Sequence, residues 1–151
     1  MHPGSIPPPN ELASLYRFVK ILWFVLLVSV GLYWPVLGML DLPPERSLDP
    51  VVQKALAALA AATGVAVLFL RFNVIPRLLA RVAAGTDPTT SLATLRTFYI
   101  VCFTLAESIA LYGLVVYFLG APRDDATWFF IAAFALLALC YPKSPETPLG
   151  T

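Results

Sequence analysis

Residues 91–119 read SLATLRTFYIVCFTLAESIALYGLVVYFL, an apolar run well beyond the ~20 residues that carry a helix across a ~30 Å hydrocarbon core. The run fixes the class of the chain, because a continuous stretch of this kind has lipid as its solvent. It also contains an anomaly. Glu107 lies about 11 residues beyond Arg96 and about 13 before Gly120, ~16 Å and ~20 Å from the two ends at ~1.5 Å per residue. A carboxylate at that depth costs roughly 2.5 to 3.5 kcal/mol and is too short to snorkel to the interface, so it must be protonated, paired or facing water.

Three further runs flank this one. Residues 18–40 form the first, entered past Arg17 and Lys20 and leaving through Tyr33, Trp34 and Pro35, an aromatic belt followed by a kink. Its length and its lack of a small-residue cleavage site mark an uncleaved anchor. The second, 51–72, follows the polar connection DLPPERSLDP, in which Asp49 and Pro50 suit an N-cap and the first helical position. Ala58, Ala62 and Ala66 recur at four-residue spacing beside Gly64, which predicts close approach of a neighbouring helix, as do Ala106, Ala110 and Gly113 on the third helix. The fourth, 126–141, is short and opens on Trp128. Between the second and third helices, residues 73–84 set Arg77 and Arg81 on one face and Leu78, Leu79 and Val82 on another, the pattern of a short interfacial helix.

The expected architecture is therefore an all-α membrane protein, a bundle of four transmembrane helices. The second and third form a central hairpin, and the first and fourth cover it. Residues 1–14, rich in proline at their start, and 144–151 are expected to be disordered tails. Arg17, Lys20, Arg71, Arg77, Arg81, Arg96 and Lys143 fall on one side, and Arg46, Lys54 and Arg123 on the other. The excess places both termini in the cytoplasm, with a bacterial inner membrane as the expected location.

Composition closes off several function classes. The chain is 59% hydrophobic and 13% charged, with a mean hydropathy of +0.80 and a net charge of +1. That balance excludes a single water-soluble core and leaves no basic stripe for nucleic acid. His2 is the only histidine, and Cys102 and Cys140 lack metal or redox spacing. No cofactor or metal site is expected, and no enzyme, since no nucleophile–base set or phosphate loop is present. Asp124 and Asp125 are expected to cap the fourth helix.

Glu107 is left as the residue with chemistry. No Lys or Arg stands at its depth, so a neutral carboxylic acid is the expected form, with Ser108 and Tyr112 close enough in sequence to add hydroxyls. One reading makes Glu107 a proton site. The other makes it a tie across to Thr63 or a backbone carbonyl, although the Thr63 hydroxyl is expected mainly to bond back to its own helix.

The stretch from Asp87-Pro88 through Leu95-Arg96-Thr97 to Leu105-Ala106-Glu107-Ser108-Ile109-Ala110-Leu111-Tyr112-Gly113 resembles the c subunit, or proteolipid, of rotary ATP synthases over about 35 residues. In that family a helical hairpin with a polar, proline-containing loop carries a mid-membrane carboxylate on its second helix. The resemblance puts Glu107 in the carboxylate's place and makes Ser108 and Tyr112 look like the ion-holding hydroxyls of sodium-binding members. Helix two here is Ala-rich with Gly64 alone and has no glutamine except Gln53 at its outer end, so the resemblance implies a proton in preference to sodium. The flanking helices lie outside it. The functional expectation is a proton-binding subunit of an ion-translocating or rotor-like assembly, self-associated or joined to other membrane subunits. The alternative is a non-transporting scaffold of a larger membrane complex.

Overall fold

The computed structural model describes residues 9–40, 48–84 and 88–142, and these are helical throughout apart from short connections. Helix α1 spans Pro9–Met39, α2 Pro50–Phe69, α3 Ile75–Ala83, α4 Pro88–Phe118 and α5 Arg123–Leu139. A π-helical turn, Leu70–Val74, joins α2 to α3, so the two form one rod without a break. Three helical stretches are long and apolar enough to cross a membrane: Ala13–Met39, Pro50–Val82 and Thr90–Phe118.

The start of α2 follows from its sequence. The Asp49 carboxylate accepts a hydrogen bond from the Val51 amide at 2.8 Å, and Pro50 sits where a helix has no use for its missing N–H. Helix α1 begins earlier than the expected tail allows, at Pro9, because a proline is tolerated in the first turn. The expected interfacial helix exists as α3, but it does not stand apart from the bundle. Ile75 and Leu78 are buried in the core shared with α4, whereas Arg77 and Arg81 point outward. The fourth helix is α5, only 17 residues long. At ~1.5 Å per residue it reaches ~26 Å, short of a full hydrocarbon core.

Packing centres on α4, which touches every other helix, while among the described residues α1 and α2 do not meet. Along α4, Leu95, Cys102, Phe103, Ala106, Ala110 and Val116 are fully buried. The arrangement departs from a central hairpin of the second and third spans, since the tightest pair is α4 with α5. Its cause is local. A Cβ on Gly113 would lie 2.8 Å from the Phe129 Cβ and 3.1 Å from the Ala126 carbonyl oxygen, so only glycine lets the two backbones come this near. The connection is a Schellman turn. The Ala121 amide bonds to the Val116 carbonyl and the Gly120 amide to that of Tyr117, with Gly120 at φ 104°, a conformation that favours glycine.

Helix α1 runs parallel to α4 in steady register. Arg96 stacks over the Phe18 ring at 4.0 Å, Glu107 meets Ser29, and the Tyr117 hydroxyl donates to the Leu40 carbonyl at 2.7 Å, closing the C-terminal end of α1. At the other end, Trp23 donates to the Leu137 carbonyl at 2.7 Å and Arg71 to that of Leu139 at 3.0 Å, which serves the free carbonyls in the last turn of α5. The outward surfaces stay apolar, with Ile21, Phe24 and Trp128 more than half exposed. Only 11% of the most apolar part of α1 is buried, against 44% in α4, a distribution suited to lipid contact.

Candidate functional site

The apolar periodicity of α1 is interrupted near its middle by Ser29 and Tyr33, one turn apart and therefore on the same face. The parallel register of α1 and α4 brings that face to the level of Glu107. Ser29 Oγ donates to Glu107 Oε1 at 2.9 Å, Tyr33 OH to the same oxygen at 3.1 Å, and Ser29 Oγ lies 3.1 Å from Tyr33 OH. Three oxygens thus form a closed triangle, half-buried at the seam of the two helices. Val30, Phe103, Ala106 and Ala110 are buried nearby along the same two helices, and the Phe130 ring of α5 lies 6.3 Å from that of Tyr33.

The Ser29 hydroxyl has one proton and faces both the Glu107 carboxyl oxygen and the Tyr33 hydroxyl, so it donates to one of them at a time, whereas the Tyr33 hydroxyl is placed to donate to Glu107 Oε1.

Helix α1 carries a weak link inside this site. Pro35 has no N–H to give the Gly31 carbonyl, one turn back, so a backbone hydrogen bond is missing between the level of Ser29 and that of Trp34. Gly31, Trp34 and Pro35 also line an apolar groove of about 470 Å³ against Phe130, Ile131 and Phe134 of α5.

The other candidate residues lie elsewhere. Ser108 Oγ donates to the Thr104 carbonyl of its own helix at 2.8 Å, and Tyr112 is half-buried against the core one turn further along. Thr63, buried, donates to the Leu59 carbonyl of its own helix at 2.8 Å, the back-bond expected of its hydroxyl. None of the three shares a hydrogen bond with Glu107; the tie across the bundle runs to α1 instead of to Thr63. Among the expected packing residues, Ala106, Ala110 and Gly113 are buried. Ala58, Ala62 and Ala66 face outward, because α2 presents Ala60, Thr63 and Val67 to the core, with Gly64 beside Leu136 and Ile109. Asp124 and Asp125 lie in the first turn of α5 without capping it; Asp125 accepts from the Gln53 amide at 2.8 Å.

Ser29, and Tyr33 as more than a belt residue, escaped the sequence reading. The signal was present, since they are the polar pair at helical spacing in the middle of the first span. Cys102 and Cys140 are buried free thiols, and no group of three or more metal-ligating side chains occurs among the described residues.

The fold and site together define an all-helical protein with three helices long and apolar enough to cross a membrane and a carboxyl group bonded between two of them. No protein-family model, curated protein or solved structure matches the chain.

Proposed function

We propose that this chain is a four-span integral membrane protein that binds and releases a proton at Glu107, as a subunit of an ion-translocating or rotor-like assembly. The observation that carries the reading is the triangle of Ser29, Tyr33 and Glu107 oxygens placed beside the Gly31–Pro35 weak link. In a closed α1 the carboxyl is shielded and neutral; when α1 bends, Tyr33 withdraws, water reaches Glu107 and the proton leaves. Both termini lie on the cytoplasmic side of a bacterial inner membrane, on the count of basic residues. In this topology α5 crosses the bilayer despite its length, with local thinning making up the difference. The resemblance to the rotor proteolipid supports a mid-membrane acid of the same chemistry.

The test is carbodiimide labelling of the protein in lipid vesicles across a pH series. Labelling confined to Glu107 and lost at high pH supports the proton site, and Glu107→Gln should abolish both labelling and proton flux while the helices stay folded. Labelling that ignores pH would sink it.

One observation favours a second reading. Both hydroxyls come from α1, so the same bonds fasten a helix that otherwise has little buried surface. In that case the chain is a non-transporting scaffold, and Glu107→Gln preserves the activity of its host complex.

A further inference from the structure

The antiparallel register of α4 and α5 brings together a second set of reactive side chains, which the Glu107 site does not use. The two backbones approach closely where Gly113 faces Phe129. Stepping eleven residues along each helix from that contact, about three turns, returns to the facing sides and reaches Cys102 on α4 and Cys140 at the end of α5. There the two thiols share a hydrogen bond. Both are free and buried, at 0% and 1% exposure, in the same apolar core. Their separation along the chain hides the pair from any reading by spacing.

A cation stands beside them. Arg71, in the π-helical turn after α2, donates from Nε to the Leu139 carbonyl at 3.0 Å, one residue before Cys140, and its charge acts on both sulfurs. Tyr99, buried three residues before Cys102, feels the same guanidinium.

Few ligands suit this set. Thiolate is the form of cysteine that binds metal, and it selects soft ions. Zinc takes four ligands, and among the described residues no third His, Cys, Asp or Glu joins the pair. Copper(I) is content with two sulfurs. Two thiolates on Cu(I) leave one net negative charge, costly in a low-dielectric interior unless a cation lies against it, and Arg71 supplies that cation. A disulfide, or a bis-thiolate of a divalent ion, would be neutral and would have no use for it.

We infer that Cys102 and Cys140 form a two-coordinate site for copper(I), with Arg71 as its counter-charge. Binding replaces the shared hydrogen bond with two Cu–S bonds. Both thiol protons leave to water past Arg71, whose side chain is partly exposed, and the oxidation state of the metal does not change.

The test is titration of the reduced, intact chain in detergent with Cu(I) under anaerobic conditions, in competition with bathocuproine disulfonate. One Cu(I) per chain should be taken from the chelator, and X-ray absorption should show two sulfur neighbours. Cys102→Ser and Cys140→Ser should each abolish uptake. Arg71→Gln should weaken it roughly 10-fold or more, the scale for groups standing behind metal ligands, with Arg71→Lys restoring most of the loss. Should the cysteine variants not fold, X-ray absorption on the unaltered protein decides, since two sulfurs at one copper support the site and oxygen or nitrogen neighbours refute it. Uptake that survives in a folded Cys102→Ser protein, a copper with three or more ligands, or failure of the reduced protein to take up the ion overturns the proposal. Recovery of the chain from its own membrane with Cys102 and Cys140 joined as a disulfide also counts against the metal and for a redox pair.

Discussion

Ser29 of α1 and Glu107 of α4 are joined by a 2.9 Å hydrogen bond between side chains 78 residues apart, and this bond closes the polar triangle that Tyr33 completes. It is a contact between helices that neither helix could reveal alone. Its energy should be measurable. Ser29→Ala and Tyr33→Phe are each expected to destabilise the folded bundle by about 0.6 to 1.7 kcal/mol, the scale found for side-chain hydrogen bonds inside membranes. A double-mutant cycle with Glu107→Ala, followed by thermal unfolding in detergent, should show coupling for both pairs and none between Ser108 and Glu107.

Glycine positions separate two kinds of close approach. At Gly113 an added methyl meets Phe129 Cβ and a backbone oxygen, neither of which can yield, so Gly113→Ala should cost about 1 to 3 kcal/mol by forcing α5 away. At Gly64 the nearest atoms are Leu136 Cδ1 at 3.7 Å and Ile109 Cδ1 at 3.9 Å, ordinary contacts, so Gly64→Ala should be close to neutral. Thermal midpoints of the two variants, compared side by side, check the contrast.

Restoring the missing backbone bond in α1 should affect motion more than structure. Pro35→Ala gives the Gly31 carbonyl a helical partner, which should raise the thermal midpoint and slow carbodiimide labelling of Glu107 several-fold at constant pH. Unchanged labelling kinetics in a stabilised variant would count against bending of α1 as the route to the carboxyl.

Tyr117 closes the end of α1 through bonds of 2.7 Å to the Leu40 carbonyl and 3.4 Å to that of Leu37. Tyr117→Phe keeps the ring and removes the donor. The expected loss is about 0.5 to 1.5 kcal/mol, with faster amide exchange confined to the last turn of α1. Uniformly faster exchange along α1 would show instead that the bond holds the whole helix.

Much of this architecture is legible residue by residue. Asp49 and Pro50 announce the start of α2 because capping is a local matter of one side chain and the next few amides. Gly120 and Pro122 bound the tight turn between the last two helices, and Glu107 stands out because burying a charge in hydrocarbon is costly whatever surrounds it. Helix ends were read less well. Proline at position 9 or 88 starts a helix as readily as it ends one, and the π turn at Leu70–Val74 lets α2 run on into a segment whose amphipathic pattern suits a surface helix equally well. The alanine stripe misled for a related reason. Methyl groups recur all round α2, so their spacing does not say which face is inward, and Thr63 and Val67 rather than Ala62 and Ala66 mark the buried side.

The sequence by itself determined that this chain is helical, that most of its surface suits lipid, and that Glu107 lies deep in an apolar span, because length, hydropathy and the cost of a buried charge are properties of single segments. Only the tertiary structure decided which helices meet. Glycine at position 113 draws α5 onto α4, the register of α1 along α4 delivers Ser29 and Tyr33 to Glu107, and the register of α5 along α4 sets Cys140 against Cys102. In hydrocarbon, apolar faces have no preference among themselves, so partners are chosen by shape and a few hydrogen bonds, and these exist only once the helices are side by side.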